Sequence, residues 1–184
     1  MFQRCYNLEH QPRVFWGHAP IQKGDKTMAF TLDDLIENVR ASRRFALKHL
    51  VGLREDQWDW KPYPECKTIR ETLAHLISDD RAALQALETG QEPDYEALQE
   101  SERDLTRLRA LLEESHETLC AFLRAHYAEA PLDTEASFFG SPMKLGRGVA
   151  YLTAEDYYHA GQIAFIRMAT DPNWDYYTAI YGGE

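Results

Sequence analysis

Four long stretches of apolar residues at helical spacing, with almost no two-residue alternation between them, constrain this chain most. The first begins after Thr31, a hydroxyl N-cap followed by Asp33 and Asp34 in the first turn. Its stripe is Leu32, Leu35, Ile36, Val39, Ala46, Leu50 and Leu53, with Gly52 near its end. The second opens on Thr68-Ile69-Arg70-Glu71, a capping box in which a hydroxyl and a carboxylate satisfy each other's backbone N–H groups. It runs to about Leu87 and Gly90 ends it; its stripe includes Ile69, Leu73, Leu76, Ile77 and Leu84. The third spans roughly 96–128, unbroken or interrupted near Ser101, with a stripe from Leu105 to Leu123 and a solvated Glu/Arg face. The fourth runs from about residue 148 to 170, where Asp171-Pro172 stops it. Such helices bury their stripes on one another, so the expected fold class is all-α, a four-helix bundle over residues 31–170.

The flanks read differently. Residues 1–30 carry Pro12 and Pro20 and show neither period, so an irregular N-terminal extension is expected. Met28 stands just before the first helix, which makes residues 1–27 a candidate optional leader. Trp58 and Trp60 precede the second helix and are expected to pack across the bundle end. Residues 130–147, with Pro131, Phe138-Phe139, Gly140, Pro142 and Gly146, read as a loop. The aromatic tail, 171–184, is expected to pack back on the bundle.

Length and charge narrow the function classes. At 184 residues and 44% hydrophobic, the chain suits one domain that folds without disulfide staples. Twenty basic against 30 acidic residues give a net charge of −10, which repels phosphates and argues against nucleic acid. Cys5, Cys66 and Cys120 are odd in number and widely spaced, so they form no disulfide framework and no zinc ribbon. Together with the absence of a secretory h-region and of any long apolar run, this sets a cytoplasmic expectation, with no membrane partner. There is no Gly-rich phosphate loop, no Ser–His–Asp signature and no C-x-x-C.

Two helix faces carry candidate chemistry. Beside the apolar stripe of the second helix runs a strip of small or polar residues: Thr68, Thr72, His75, Asp79, Ala82 and Ala86. His75 and Asp79 are one turn apart on it. On the fourth helix Leu152, Glu155, His159, Ile163, Ile166 and Thr170 share one face, with Gln162 at its edge. An unpaired Glu among apolar neighbours is costly, and a divalent cation removes the problem. Glu155/His159 has the spacing of a helical chelate, although a Glu–His hydrogen bond has the same spacing. A site joining the two helices requires the His75 and His159 ring nitrogens to lie within about 6 Å. Asp79 is a candidate base or third ligand, and Gln162 a partner that orients a ligand. Arg167 is expected to pair with the acidic surface. His10, His18, His49, His116 and His126 are read as surface residues. Ala150, Tyr157, Tyr158, Ala164, Phe165 and Met168 make the fourth helix apolar nearly all round, which points to cover by the tail or by a second subunit.

The stretch TIRETLAHLISDDRAAL, followed by YLTAEDYYHAGQIAFIR, resembles the DinB/YfiT-like family. The supporting residues are Trp58, Trp60 and Pro62 upstream of His75, and His159, Gly161, Gln162, Ile163 and Arg167 in the last long helix. The resemblance covers Thr31 to Arg167. It implies an up-down-down-up four-helix bundle, usually a homodimer. It also implies a metal site of three His, one in the second helix and an H-x-x-x-H pair in the last. His75 matches the first and His159 the last, whereas Glu155 stands where the family has the other His. Two imidazoles and a carboxylate still suit Zn, Ni, Mn or Fe(II), with open positions.

The resemblance points to thiol-dependent transferases or isomerases and to metal-dependent hydrolases acting on small molecules. The metal would activate water or a low-molecular-weight thiol. Two rival readings use the same residues: a non-catalytic dimeric module that binds a metal or small ligand, and a bundle whose metal site is vestigial.

Overall fold

A computed structural model describes residues 30–182 of the chain. Helices dominate, in the order α1 (Leu32–Lys48), α2 (Ile69–Thr89), α3 (Tyr95–Leu98), α4 (Leu105–Tyr127), α5 (Leu145–Thr170) and α6 (Tyr176–Tyr181). Two short strands, β1 (Glu135–Phe138) and β2 (Ser141–Lys144), lie between α4 and α5. The N-terminal extension and the Met28 start fall outside the described residues.

The caps stand where the sequence puts them. Thr31 and Asp34 form a capping box at α1, and Thr68 and Glu71 form one at α2. Gly90 closes α2 in the left-handed conformation at φ 70°, which glycine adopts without a Cβ penalty. The third predicted helix is interrupted: α3 is one turn, and α4 starts anew on the Asp104 cap, whose carboxylate accepts from the Arg107 N–H.

Two expectations need correction. The first helix does not continue to Leu53. It ends at Lys48, and Leu50 reaches the core from a turn that Gly52 completes at φ 72°. Residues 130–147 are not a plain loop, because β1 and β2 pair as an antiparallel hairpin with Phe138 opposite Ser141. Its two-residue turn, Phe139-Gly140, has positive φ at both positions (52° and 78°), the pattern that lets a tight turn follow strand twist. The strands hold four residues each and β2 contains Pro142, so the alternation is too short to read from sequence. The hairpin also explains why α5 begins three residues early. Leu145 N donates to Thr134 O and Gly146 N to Leu132 O, which occupies first-turn donors otherwise left unpaired.

The core has two apolar clusters. One joins Leu32, Ile36 and Val39 of α1 to Leu119 and Leu123 of α4, Val149 and Leu152 of α5, and Phe138 of the hairpin. The other joins Leu50, Trp58, Ile69, Leu73 and Ile77 to Leu108, Leu112, Ile163 and Ile166. Trp58 is buried there and Trp60 packs against it. α1 packs chiefly on α5, and α2 chiefly on α4. After α5 the tail turns back: Trp174 and Tyr176 lie against His49, and Tyr181 against Phe45. None of the described helices is long and apolar enough to cross a membrane.

Three residues read as surface groups are buried. His49 sits under the tail, its Nδ1 2.8 Å from the Phe45 carbonyl. His116 lies 3.7 Å from Asp80 inside the protein. Arg167 does not pair with an acidic surface. Its guanidinium donates to the His49 and Val51 carbonyls and stacks 4.2 Å over Trp174, tying the end of α1 to the tail. His126 does lie at the surface, stacked on Phe122.

Candidate metal centre

The strip on α2 and the inner face of α5 meet. The Thr68 cap of α2 and the apolar stripes of both helices set their rotation, and His75 and His159 face each other with ring centroids 4.9 Å apart. His75, Glu155 and His159 each offer a ligand atom, and the three atoms lie within 4.8 Å of one another. Glu155 Oε2 is 3.4 Å from His159 Nε2, the separation of two donors sharing one ion with bonds of about 2.1 Å. Glu155 is half-buried and turned toward the site rather than to solvent.

His159 fits a ligand best. It is 2% exposed. Its Nδ1 lies 2.8 Å from Gln162 Oε1, a carbonyl oxygen that only accepts, so the ring proton belongs on Nδ1. That leaves the lone pair on Nε2, which is buried and has no hydrogen-bond partner. A buried nitrogen held in this tautomer and aimed at a carboxylate is what a cation requires. Burial pushes the His159 and His75 pKa values down, so both rings are neutral near pH 7, the form that ligates.

Asp79 stands one step out. Its Oδ2 is 3.3 Å from His75 Nε2, but it is not among the three groups that converge. Burial, and then the Glu155 carboxylate, raise its pKa to about 6. The Tyr151 phenol is pushed up to about 12, first by the nearby Glu155 carboxylate and then by burial.

A cavity of about 640 Å³ opens on the trio. Tyr63, Tyr158, Phe165 and Ile166 give it apolar walls, and Cys66, Lys67 and Gln162 contribute polar ones. A second hollow on the other side of His75 is lined by Asp79, Tyr95 and Glu100 and shares Cys66 and Lys67 with the first.

Sequence reading missed a buried ionic cluster behind this site. Arg43 bonds Asp80 and Asp156, with Ser42, Ser115 and His116 around them. Asp80 and Asp156, the immediate neighbours of Asp79 and Glu155, are more deeply buried than those two site residues. The available signal was Arg43 in line with the buried stripe of α1, between Val39 and Ala46.

The sequence profile of the DinB superfamily matches residues 17–163. A crystal structure of a DinB-like protein from Bacillus subtilis superposes with a TM-score of 0.51 at 18% identity, covering 78% of this chain and 96% of that one. No curated protein matches the sequence. The matched span takes in α1 through most of α5, with His75, Glu155 and His159 inside it, and the chain belongs to the DinB superfamily.

Proposed function

We propose that this protein is a divalent-metal-dependent enzyme of the thiol transferase, isomerase or hydrolase kind, with His75, Glu155 and His159 as ligands. The observation that carries the reading is the buried Nε2 of His159. It has no hydrogen-bond partner, faces Glu155, and is held in the ligating tautomer by Gln162. The donor set of two imidazoles and one carboxylate suits Zn or Ni, and also Mn or Fe(II). A divalent ion bound there supplies Lewis acidity that acidifies a thiol or water at an open position.

The chain's own residues do the rest. Gln162 orients His159. Asp79, whose carboxyl burial raises to about 6 in the metal-free protein, stands beside His75 as the base that takes a proton and returns it. The aromatic walls receive the apolar part of a small-molecule substrate and exclude water. The protein's negative charge disfavours nucleic acid as substrate.

The helix arrangement we propose is the up-down-down-up bundle, in a cytoplasmic homodimer. Tyr157, Tyr158, Phe165 and Met168 leave one face of α5 exposed and apolar, the kind of surface a second copy covers. Light scattering after gel filtration tests the dimer, and Phe165→Glu should yield monomer.

The activity is tested by assaying zinc-, nickel- and manganese-loaded protein with a low-molecular-weight thiol and an electrophilic acceptor. Turnover that disappears in His159→Ala is expected. Stoichiometric metal without turnover on thiol or hydrolytic substrates would favour the binding module instead.

A further inference from the structure

The three candidate ligands sit on two helices that pack mainly on other partners, α2 on α4 and α5 on α1. Where α2 meets α5 directly the contact is narrow, with His75 edge-on to His159. One residue of α1 reaches both helices. Arg43 donates from Nε to Asp156 Oδ1 at 2.8 Å, and from Nη1 and Nη2 to the two Asp80 oxygens at 2.9 and 3.2 Å. Asp156 directly follows Glu155, and Asp80 directly follows Asp79. Successive helix positions share one rigid backbone segment while pointing to different sides. The inner carboxylates are therefore handles on the segments that carry the site.

We infer that Arg43 is a positioning residue for the metal centre: by clamping Asp80 and Asp156 it sets the rotation and register of α2 against α5, and so the separation of His75 from Glu155 and His159. The inference rests on the reading of these three residues as metal ligands.

The cluster is built for one geometry. Arg43 Nη1 also donates to the Leu112 carbonyl at 2.9 Å, which adds α4 to the clamp. Ser115 donates to Asp80 Oδ2 and Ser42 to Asp156 Oδ2, each at 2.8 Å. A planar guanidinium with forked, charge-assisted bonds tolerates little sliding, whereas apolar contacts permit it. Burial works against the charges, yet the two carboxylates hold Arg43 protonated above its ordinary range, and Arg43 with His116 keeps Asp80 below its own. A buried ion pair is a weak source of net stability, and fixing register is its better-attested use.

The test compares wild type with Arg43→Met/Asp80→Asn/Asp156→Asn, which leaves no uncompensated buried charge, and with Arg43→Lys, whose ammonium cannot fork to both helices. Two readouts are taken on the full chain. One is Co(II) affinity by chelator competition, with the visible absorption of the bound ion. The other is the nuclear Overhauser effect between His75 and His159 ring protons in the metal-free protein. In variants that melt cooperatively, the expected results are Co(II) binding weaker by ~10–100-fold, an altered Co(II) spectrum and loss of the ring contact. A folded variant that keeps the ring contact and binds Co(II) within about twofold of wild type overturns the inference. If the triple variant does not melt cooperatively, Arg43→Lys carries both readouts. Wild type that binds no Co(II), beside a variant that loses the ring contact, sinks the metal reading and leaves the positioning role standing. Without Co(II) binding, a ring contact that survives in the variants overturns the positioning role as well.

Discussion

The Nδ1 of His159 and the Oε1 of Gln162 lie 2.8 Å apart, one turn along the same helix. The amide accepts the ring proton and thereby turns the unpartnered Nε2 toward Glu155. Gln162→Leu removes the acceptor while keeping much of the side-chain volume. Zinc affinity should fall by ~10–100-fold with little loss of thermal stability, as chelator competition and melting curves will show. Unchanged affinity would mean that Gln162 does not orient a ligand.

Glu155 supplies the carboxylate where the family resemblance expects imidazole, and its Oε2 lies 3.4 Å from His159 Nε2. Glu155→Ala should abolish stoichiometric zinc binding, whereas Glu155→His should retain it, because the substitution completes a three-His set. The charge of the loaded site rises by one in that variant. Titration of both proteins by calorimetry checks the pair. Full binding by the alanine variant would remove Glu155 from the site.

Asp79 makes a prediction with a sign in pH. Its pKa rises from 3.8 to about 6 in the folded protein, through burial and then the Glu155 charge. The metal-free fold therefore carries a penalty above pH 6 that fades as pH falls and is gone below the unfolded value near 3.8. Asp79→Asn should stabilise the metal-free protein by up to about 2 kcal/mol at pH 8, after allowing for the solvent that still reaches the group. The gap should close toward pH 4 in paired denaturation curves. Zinc should narrow it at pH 8, because the cation offsets the repulsion. A gap that widens with acid would contradict the assignment.

Gly148 lies on α5 against the ring of Phe138, so close that a Cβ there would enter the ring. Phe138 is fully buried in the first apolar cluster. Gly148→Ala should cost about 1–3 kcal/mol by overpacking, read as a lower denaturation midpoint at an unchanged slope. A neutral result would mean that the hairpin moves freely over α5.

Much of this was legible in the residues, and the failures have two causes. Caps are local chemistry, so Thr31, Thr68 and Gly90 could be read directly. The juxtaposition of His75 with Glu155 and His159 needed only helix faces and the family resemblance. The hairpin was missed because strands of four residues have too little alternation and an uncommon Phe-Gly turn. His116, Asp80 and Asp156 were missed because a buried charge is tolerable only when its partner is known, and Arg43 lies 37 and 113 positions away. Arg167 was misjudged likewise, since its partners are backbone carbonyls that no side-chain pattern announces.

The central claim is that His75, Glu155 and His159 hold one divalent ion. The most direct measurement is the metal content, by plasma mass spectrometry, of untagged protein purified without added metal, beside His159→Ala. The account predicts about one ion per chain in the wild type, following the one three-ligand site among the described residues, and loss of that ion in the variant. Folded wild-type protein with no bound metal, and no uptake when zinc, nickel, manganese or iron is supplied, would contradict it.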